Sequence, residues 1–275
     1  MGLNEAALGR IWTSEALTLS AELASAYAAA TDDPNAAVGS GEVCPPLLCV
    51  RPFHGVAMQL ILDPEVGCDF KRLVHGEQDI RFFRPLRPAE TVVATAEVAG
   101  IDRKSSGELL ANRQVLTVGD ETVVEATSGY FIRAPKKPDA PKGEKRAKKP
   151  LALPEGDPDV ELSRTITADL PARYAAASGD ENPIHLDDAF AKKVGLPGVI
   201  LHGLCSMAIL GQAVVEQACG GDVGRLARLK VRFAGMVFPG DTLTVKGWRD
   251  GDRVELVVLN QAGRPVITHG LAEIR

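Results

Sequence analysis

The chain has 275 residues, room for one large domain or two ordinary ones. With 45% hydrophobic against 24% charged residues, it has the balance of a globular protein with a buried core. Its formal net charge of −5 argues against general affinity for nucleic acid or an anionic membrane, which reward a basic face.

From the N-terminus, MGLNEAALGR offers no basic region leading into an apolar one, so no secretory signal is expected, and Ala6 stands where a myristoylation pattern wants Ser or Thr. No run approaches the roughly 20 apolar residues of a membrane span. The five cysteines (Cys44, Cys49, Cys68, Cys205, Cys219) lack the close pairing of a zinc site and read as free thiols of a reducing cytoplasm. The first half is expected to place a helix near His54–Leu62, then strands near Gln78–Phe83, Thr91–Val98, Leu109–Val118 and Glu121–Ile132.

Residues 134–159, APKKPDAPKGEKRAKKPLALPEGDPD, are dense in Pro, Lys and Gly and nearly free of large apolar residues. Such a segment buries too little surface to offset its ordering entropy and reads as a linker between residues 1–133 and 160–275. The flanking regions echo each other. Tyr27 to Asn35 (YAAATDDPN) resembles Tyr174 to Asn182 (YAAASGDEN), an offset of 147 residues. Pro88-Ala89-Glu90-Thr91 resembles Pro239-Gly240-Asp241-Thr242 at an offset of 151, each after an Arg-Phe pair, Arg81-Phe82 and Arg232-Phe233. Two matches in the same order at nearly one offset indicate a duplicated domain.

In the second half an irregular loop around Gly179 leads to Ile184. A short helix follows from Asp188 to Lys193 with Asp187 as its N-cap, then a longer one from Gly203 to Ala218. That second helix is apolar on nearly every side and is expected to be buried all round. Strands are expected at Leu226–Phe233, Thr242–Trp248, Arg253–Leu259 and Val266–Ile274, joined by short turns that favour antiparallel pairing. A helix wrapped by a curved antiparallel sheet is the natural packing for that order, an α+β fold.

The chemistry concentrates in Ser178-Gly179-Asp180-Glu181-Asn182-Pro183-Ile184-His185 and in Leu201-His202-Gly203. Gly179 and Asn182-Pro183 break regular structure and hold an acid and an imidazole on one constrained loop, the requirement for general acid–base work. Gly203 opens the buried helix, where a free backbone N–H at the positive end of the dipole suits a developing oxyanion. Asn182 orients the loop or a water, and Ser178 and His202 are supporting candidates beside the substrate. A metal set of Asp180, His185 and His202 has no close cysteine pair or further close histidine behind it, and no metal is expected.

These residues resemble the signature of the MaoC-like dehydratases, the (R)-specific enoyl-CoA hydratase 2 type: an Asp, Asn-Pro, an apolar residue and His, then His-Gly at the start of the central helix. Here they are Asp180, Asn182-Pro183, Ile184, His185 and His202-Gly203. The first half resembles the degenerate repeat of the double hot-dog members, through His75-Gly76-Glu77-Gln78 and Arg84-Pro85-Leu86-Arg87-Pro88. The resemblance implies two hot dogs side by side, with sheets joined edge to edge. It also implies reversible syn hydration of trans-2-enoyl thioesters to (R)-3-hydroxyacyl thioesters, with no cofactor beyond the coenzyme A or acyl carrier protein that carries the substrate.

The first half departs from the signature. It has Asp32 or Asp33, then Asn35, Ala36, Ala37 and Val38, with no histidine, so one active site per chain is expected and the first half shapes the acyl tunnel. His54-Gly55 echoes His202-Gly203. Carrier phosphates would need a local basic patch, for which Lys192 and Lys193 and the alternating Arg228, Lys230 and Arg232 are candidates, Arg228 and Lys230 foremost. A thioesterase of the same fold and a non-catalytic thioester binder are the competing readings; neither needs the Asn-Pro-Ile-His spacing. A homodimer is the expected assembly.

Overall fold

The computed structural model describes residues 2–135 and 151–275. In chain order the elements are β1 (Ile11–Thr13), β2 (Leu17–Thr18), α1 (Ala21–Ala30), α2 (Ala36–Gly39), α3 (Val50–Leu62), β3 (Leu73–Phe82), β4 (Thr91–Lys104), β5 (Gly107–Val118) and β6 (Glu121–Arg133). There follow β7 (Val160–Thr165), α4 (Leu170–Ser178), α5 (Asp188–Lys193), α6 (Gly203–Gln217), β8 (Leu226–Phe233), β9 (Thr242–Asp250), β10 (Arg253–Asn260) and β11 (Pro265–Ile274). Most of the Pro- and Lys-rich segment, residues 136–150, lies outside the described residues. Residues 151–159 form no helix or strand, and their end is tied down where Asp159 Oδ2 accepts from Arg249 N at 2.7 Å.

Strand patterning explains one layer and helix composition the other. Along β4, Val92, Ala94, Ala96 and Val98 are buried in strict alternation, so one face of the sheet meets the core. Every residue of α6 from Cys205 to Val215 is buried, as its all-round apolarity requires. Gly211 lets this helix approach the sheet closely: a Cβ there would meet Leu229 Cδ2 at 3.2 Å and Leu47 Cδ2 at 3.3 Å.

All strands join one sheet in the order β1-β4-β5-β6-β3-β8-β11-β10-β9-β7, with β2 also on β4. The order is a repeat: β4-β5-β6-β3 in one half and β9-β10-β11-β8 in the other, meeting where β3 pairs antiparallel with β8. This is the edge-to-edge double hot-dog. Small contacts repeat with it. Thr18 and Thr91 hydroxyls lie 3.1 Å apart, and Thr165 and Thr242 hydroxyls 3.0 Å apart, at the same 147 and 151 offsets. On the other layer α1 packs on α4, and Tyr27 donates its hydroxyl proton to Tyr174 Oη at 3.3 Å.

Six elements exceed the sequence expectation: β1, β2 and α2, and the three that follow. Tyr27-Ala28-Ala29-Ala30 and its echo are helical, in α1 and α4, and β7 adds an edge strand. The long helix of the first half begins at Val50, after a 3-10 turn over Pro46–Cys49. His54-Gly55 therefore lies inside α3, not at its start: its offset of 148 fits the repeat, but it does not head its helix as His202-Gly203 does.

The junction carries one ion-pair cluster. Arg228 on β8 donates to Asp79 on β3, Nε at 2.8 Å and Nη2 at 2.6 Å, and to Glu273 on β11 through Nη1 at 3.0 Å. The arginine side chain is only 16% exposed, so its removal leaves two half-buried carboxylates facing each other. Arg228→Ala is expected to cost about 1–3 kcal/mol, which lowers the melting temperature by about 3–10 °C for a chain of this size. An unchanged melting temperature in thermal denaturation would show the cluster to be energetically idle.

Candidate active site

The catalytic loop is built from short-range backbone chemistry. α4 ends on Gly179 in the left-handed conformation, φ 80°, where a side chain would be strained. Asp180 follows; its N–H donates to Ser178 Oγ at 3.3 Å, and its Oδ1 accepts from Asn182 N at 3.3 Å. Asn182 Oδ1 then accepts from Ile184 N, capping a 3-10 turn over Pro183–His185. Asp187 caps α5 as expected, accepting from Phe190 N at 3.0 Å.

Two backbone carbonyls fix the two imidazoles. His185 Nδ1 donates to Ile200 O at 2.8 Å, which leaves Nε2 as the acceptor of the neutral ring. His202 Nε2 donates to Asp180 O at 2.9 Å. The rings stack with centroids 3.7 Å apart and 25° between planes. One atom each of Asp180, His185 and His202 lies within 4.8 Å of the others. Those three groups have the chemistry to hold a transition metal, but each imidazole already commits one nitrogen to a backbone carbonyl. The arrangement suits proton transfer better.

Burial is the main electrostatic influence. It pushes the His185 imidazole down from its ordinary range, against the Ile200 hydrogen bond and the Asp180 carboxylate, which both pull it up. His202 goes down to about 4, by burial first and then by His185 stacked upon it. The N-cap of α6 is His202 with no side-chain capping bond, and among the described residues the Gly203 N–H has no acceptor. An exposed, uncapped N–H at the head of a 15-residue helix is a ready oxyanion donor.

Asp180, Asn182, His185, His202 and Gly203 are thus brought together. Ser178 and His202, expected beside the substrate, are both engaged by the backbone of Asp180. Arg228 and Lys230 are not at the site. Leu229 and Val231 between them are buried, Leu229 against α6, so Arg228, Lys230 and Arg232 project from the opposite face of the sheet. Arg228 is moreover neutralised by Asp79 and Glu273, and Lys192 by Asp188 at 2.6 Å.

His75, on β3 of the first half, is the site residue that the sequence reading did not select. It is half-buried, its Nε2 is buried and unpartnered among the described residues, and its ring packs on Tyr130 at 4.9 Å and on Phe233 at 5.1 Å. Phe233 in turn fills the space a Gly203 side chain would take, 3.1 Å from the Cβ position. Burial takes His75 down to about 4, opposed by hydrogen bonding to the Gln78 side chain and the Glu77 backbone and, least, by the Asp180 carboxylate. His54 adds a further charge that lowers both His185 and His202.

The first half lacks the corresponding pair. At the 147 offset Asp32 stands for Gly179, at φ 48° and paired with Arg173; Asp33 stands for Asp180 and Val38 for His185. Asp33 lies beside a void of about 20 Å³ lined by Tyr27, Asn35, Val38, Leu47 and Gln212, and burial raises its carboxyl. That volume holds about one water.

The whole chain finds relatives. Residues 150–268 match the MaoC like domain family, and residues 7–126 the FAS1-like, dehydratase domain region. A curated relative, peroxisomal multifunctional enzyme type 2 of Mus musculus, is 29% identical over 77% of this chain and 29% of its own length. The 3-hydroxyacyl-thioester dehydratase Y of Mycobacterium tuberculosis is 33% identical over 64% of this chain and 62% of its own. The chain spans about a third or less of the multifunctional relatives it matches. A solved MaoC-like dehydratase from Phytophthora capsici superposes with a TM-score of 0.81 at 24% identity, over 100% of this chain and 98% of the other. No helix of the described residues is long and apolar enough to cross a membrane.

The depressed His185 can be checked directly. An NMR titration, with the signal assigned by its loss in His185→Gln, should place its midpoint below the ordinary histidine value of about 6.5. A midpoint at or above that value would contradict a buried, neutral ring.

Proposed function

Because the chain belongs to the MaoC-like dehydratase family, we propose that it adds water reversibly to trans-2-enoyl thioesters, giving (R)-3-hydroxyacyl thioesters. The observation that carries this reading is the pair of proton acceptors, the Asp180 carboxylate and His185 Nε2, set beside the uncapped head of α6.

A water held between those acceptors donates one hydrogen to each. Its oxygen bonds to the β-carbon while one of its protons passes to the pair. The C=C electrons move toward the carbonyl, and the enolate-like oxygen is stabilised by the Gly203 N–H. Collapse of the enolate takes the proton back from the pair at the α-carbon. Water is consumed whole, and both parts arrive from one face, which is syn addition. The reverse sequence is dehydration. The chemistry calls for no dissociable cofactor; the acyl group rides on coenzyme A or an acyl carrier protein. We assign the enzyme to a reducing compartment, the cytoplasm, because all five cysteines are free, four of them buried.

Asp180→Asn and His185→Gln should each lower hydration of a crotonyl thioester by about 10²–10⁴-fold with the fold retained. Mass spectrometry of the product separates hydration, which adds water and keeps the thioester, from hydrolysis, which frees the thiol. Near wild-type turnover in either folded variant would remove that residue from the mechanism, and release of thiol would replace a hydratase by a thioesterase.

A further inference from the structure

The inner face of the first sheet carries polar side chains that the second half lacks. Ser128 on β6 lies opposite both Gln78 on β3 and Asn112 on β5, and Gln114 is the next residue of β5 on that face. All four are buried. The 151 offset that relates Arg81-Phe82 to Arg232-Phe233 sets Gln78 on Leu229. Leu229 lies opposite Ala272, Ala272 opposite Val254, and Leu256 is the next residue of β10 on that face. Four polar groups in one half therefore stand where the other has Leu, Ala, Val and Leu.

Buried amides are costly unless bonded. Three of the four are bonded. Ser128 Oγ lies 2.8 Å from Gln78 Oε1 and 3.0 Å from Gln114 Oε1, with one hydroxyl proton to give, and Gln114 Nε2 donates to the carbonyl of Phe53 in α3 at 3.0 Å. Asn112 is different. It has no exposed surface, and among the described residues neither its Oδ1 nor its Nδ2 has a partner in hydrogen-bonding geometry, with the Tyr130 hydroxyl its polar neighbour. Its counterpart Val254 shows that the fold does not need an amide at this register position.

The band is continuous with the reacting groups. Tyr130, the next residue of β6 on the inner face after Ser128, packs on His75, His75 packs on Phe233, and Phe233 abuts Gly203. The Asp180 carboxylate acts electrostatically on both His75 and Tyr130. A thioester held at Gly203, in the second half, faces this polar band of the first half across the β3–β8 junction.

We propose that Asn112 is a specificity-determining residue that hydrogen-bonds an oxygen function on the acyl chain. The substrate class is then an enoyl thioester bearing a hydroxyl beyond its double bond, in place of a plain alkyl chain. An amide presents one donor end and one acceptor end, and a hydroxyl answers both. This inference rests on the hydratase reading above.

The test compares kcat/KM of the full chain for a straight-chain trans-2-enoyl-CoA and for chains of the same length hydroxylated at successive carbons beyond the double bond. Wild type should prefer one hydroxylated member by about tenfold or more. Asn112→Val should remove that preference while plain-chain turnover stays within about threefold, and Asn112→Ser should keep part of it. The idea is overturned if no hydroxylated chain outperforms the plain one. It is equally overturned if Asn112→Val leaves the ratio unchanged and raises the melting temperature, the behaviour of an amide that merely holds a buried water. In both cases plain-chain hydration continues, so the hydratase reading survives; absence of hydration with every thioester would overturn both readings.

Discussion

The antiparallel pairing of β3 with β8, from Glu77 opposite Arg232 to Arg81 opposite Arg228, sets where the two halves meet. Each hot dog alone would leave this strand edge unpaired. Joined, they form one sheet, and the chain just before β3's paired segment comes to lie beside the chain at the end of β8. That puts His75 against Phe233 and so against Gly203, although these residues lie far apart in sequence. The working groups come from the second half, and one wall comes from the first.

Within that frame the site is governed by an electrostatic constraint. Two imidazoles stacked at 3.7 Å in a buried setting cannot both carry charge, since each would repel the other without water to screen it. Both have backbone carbonyls to hold their single protons, Ile200 O for His185 and Asp180 O for His202, so both neutral tautomers are fixed. His202 thereby acts through the loop: it ties the Asp180 backbone to the head of α6 while His185 keeps a free nitrogen for chemistry. With Val38 at the register of His185, the first half has an aspartate and an asparagine cap but no proton-transfer pair.

Much of this was legible in the sequence because it depends on local chemistry. The apolar run from Leu204 gives α6, and Gly179, Asn182-Pro183 and His185 give the loop, since caps and turns act over a few residues. The strands followed from alternation, and the duplication from its two offsets. What failed depends on distant partners. Alternation placed Arg228 and Lys230 on one side of a strand but not on which side α6 packs, and Asp79, which neutralises Arg228, lies 149 residues away. His54-Gly55 matched His202-Gly203 in letters, while Pro46 and its 3-10 turn start α3 earlier. The Ala-rich α1 and α4 lack a sharp apolar stripe, so periodicity does not mark them, although alanine favours helix and Ser20 caps α1 by accepting from Leu23 N. His75 gains its meaning solely from the β3–β8 junction.

The central claim is that one acid–base pair delivers both parts of one water to the same face of an enoyl thioester. Hydration of a crotonyl thioester in deuterium oxide, followed by NMR of the 3-hydroxy product, tests it most directly. The account predicts the (R) configuration at the hydroxyl-bearing carbon and a single deuterium on the neighbouring carbon in the syn relation to it. An (S) product, or deuterium anti to the hydroxyl, would contradict it.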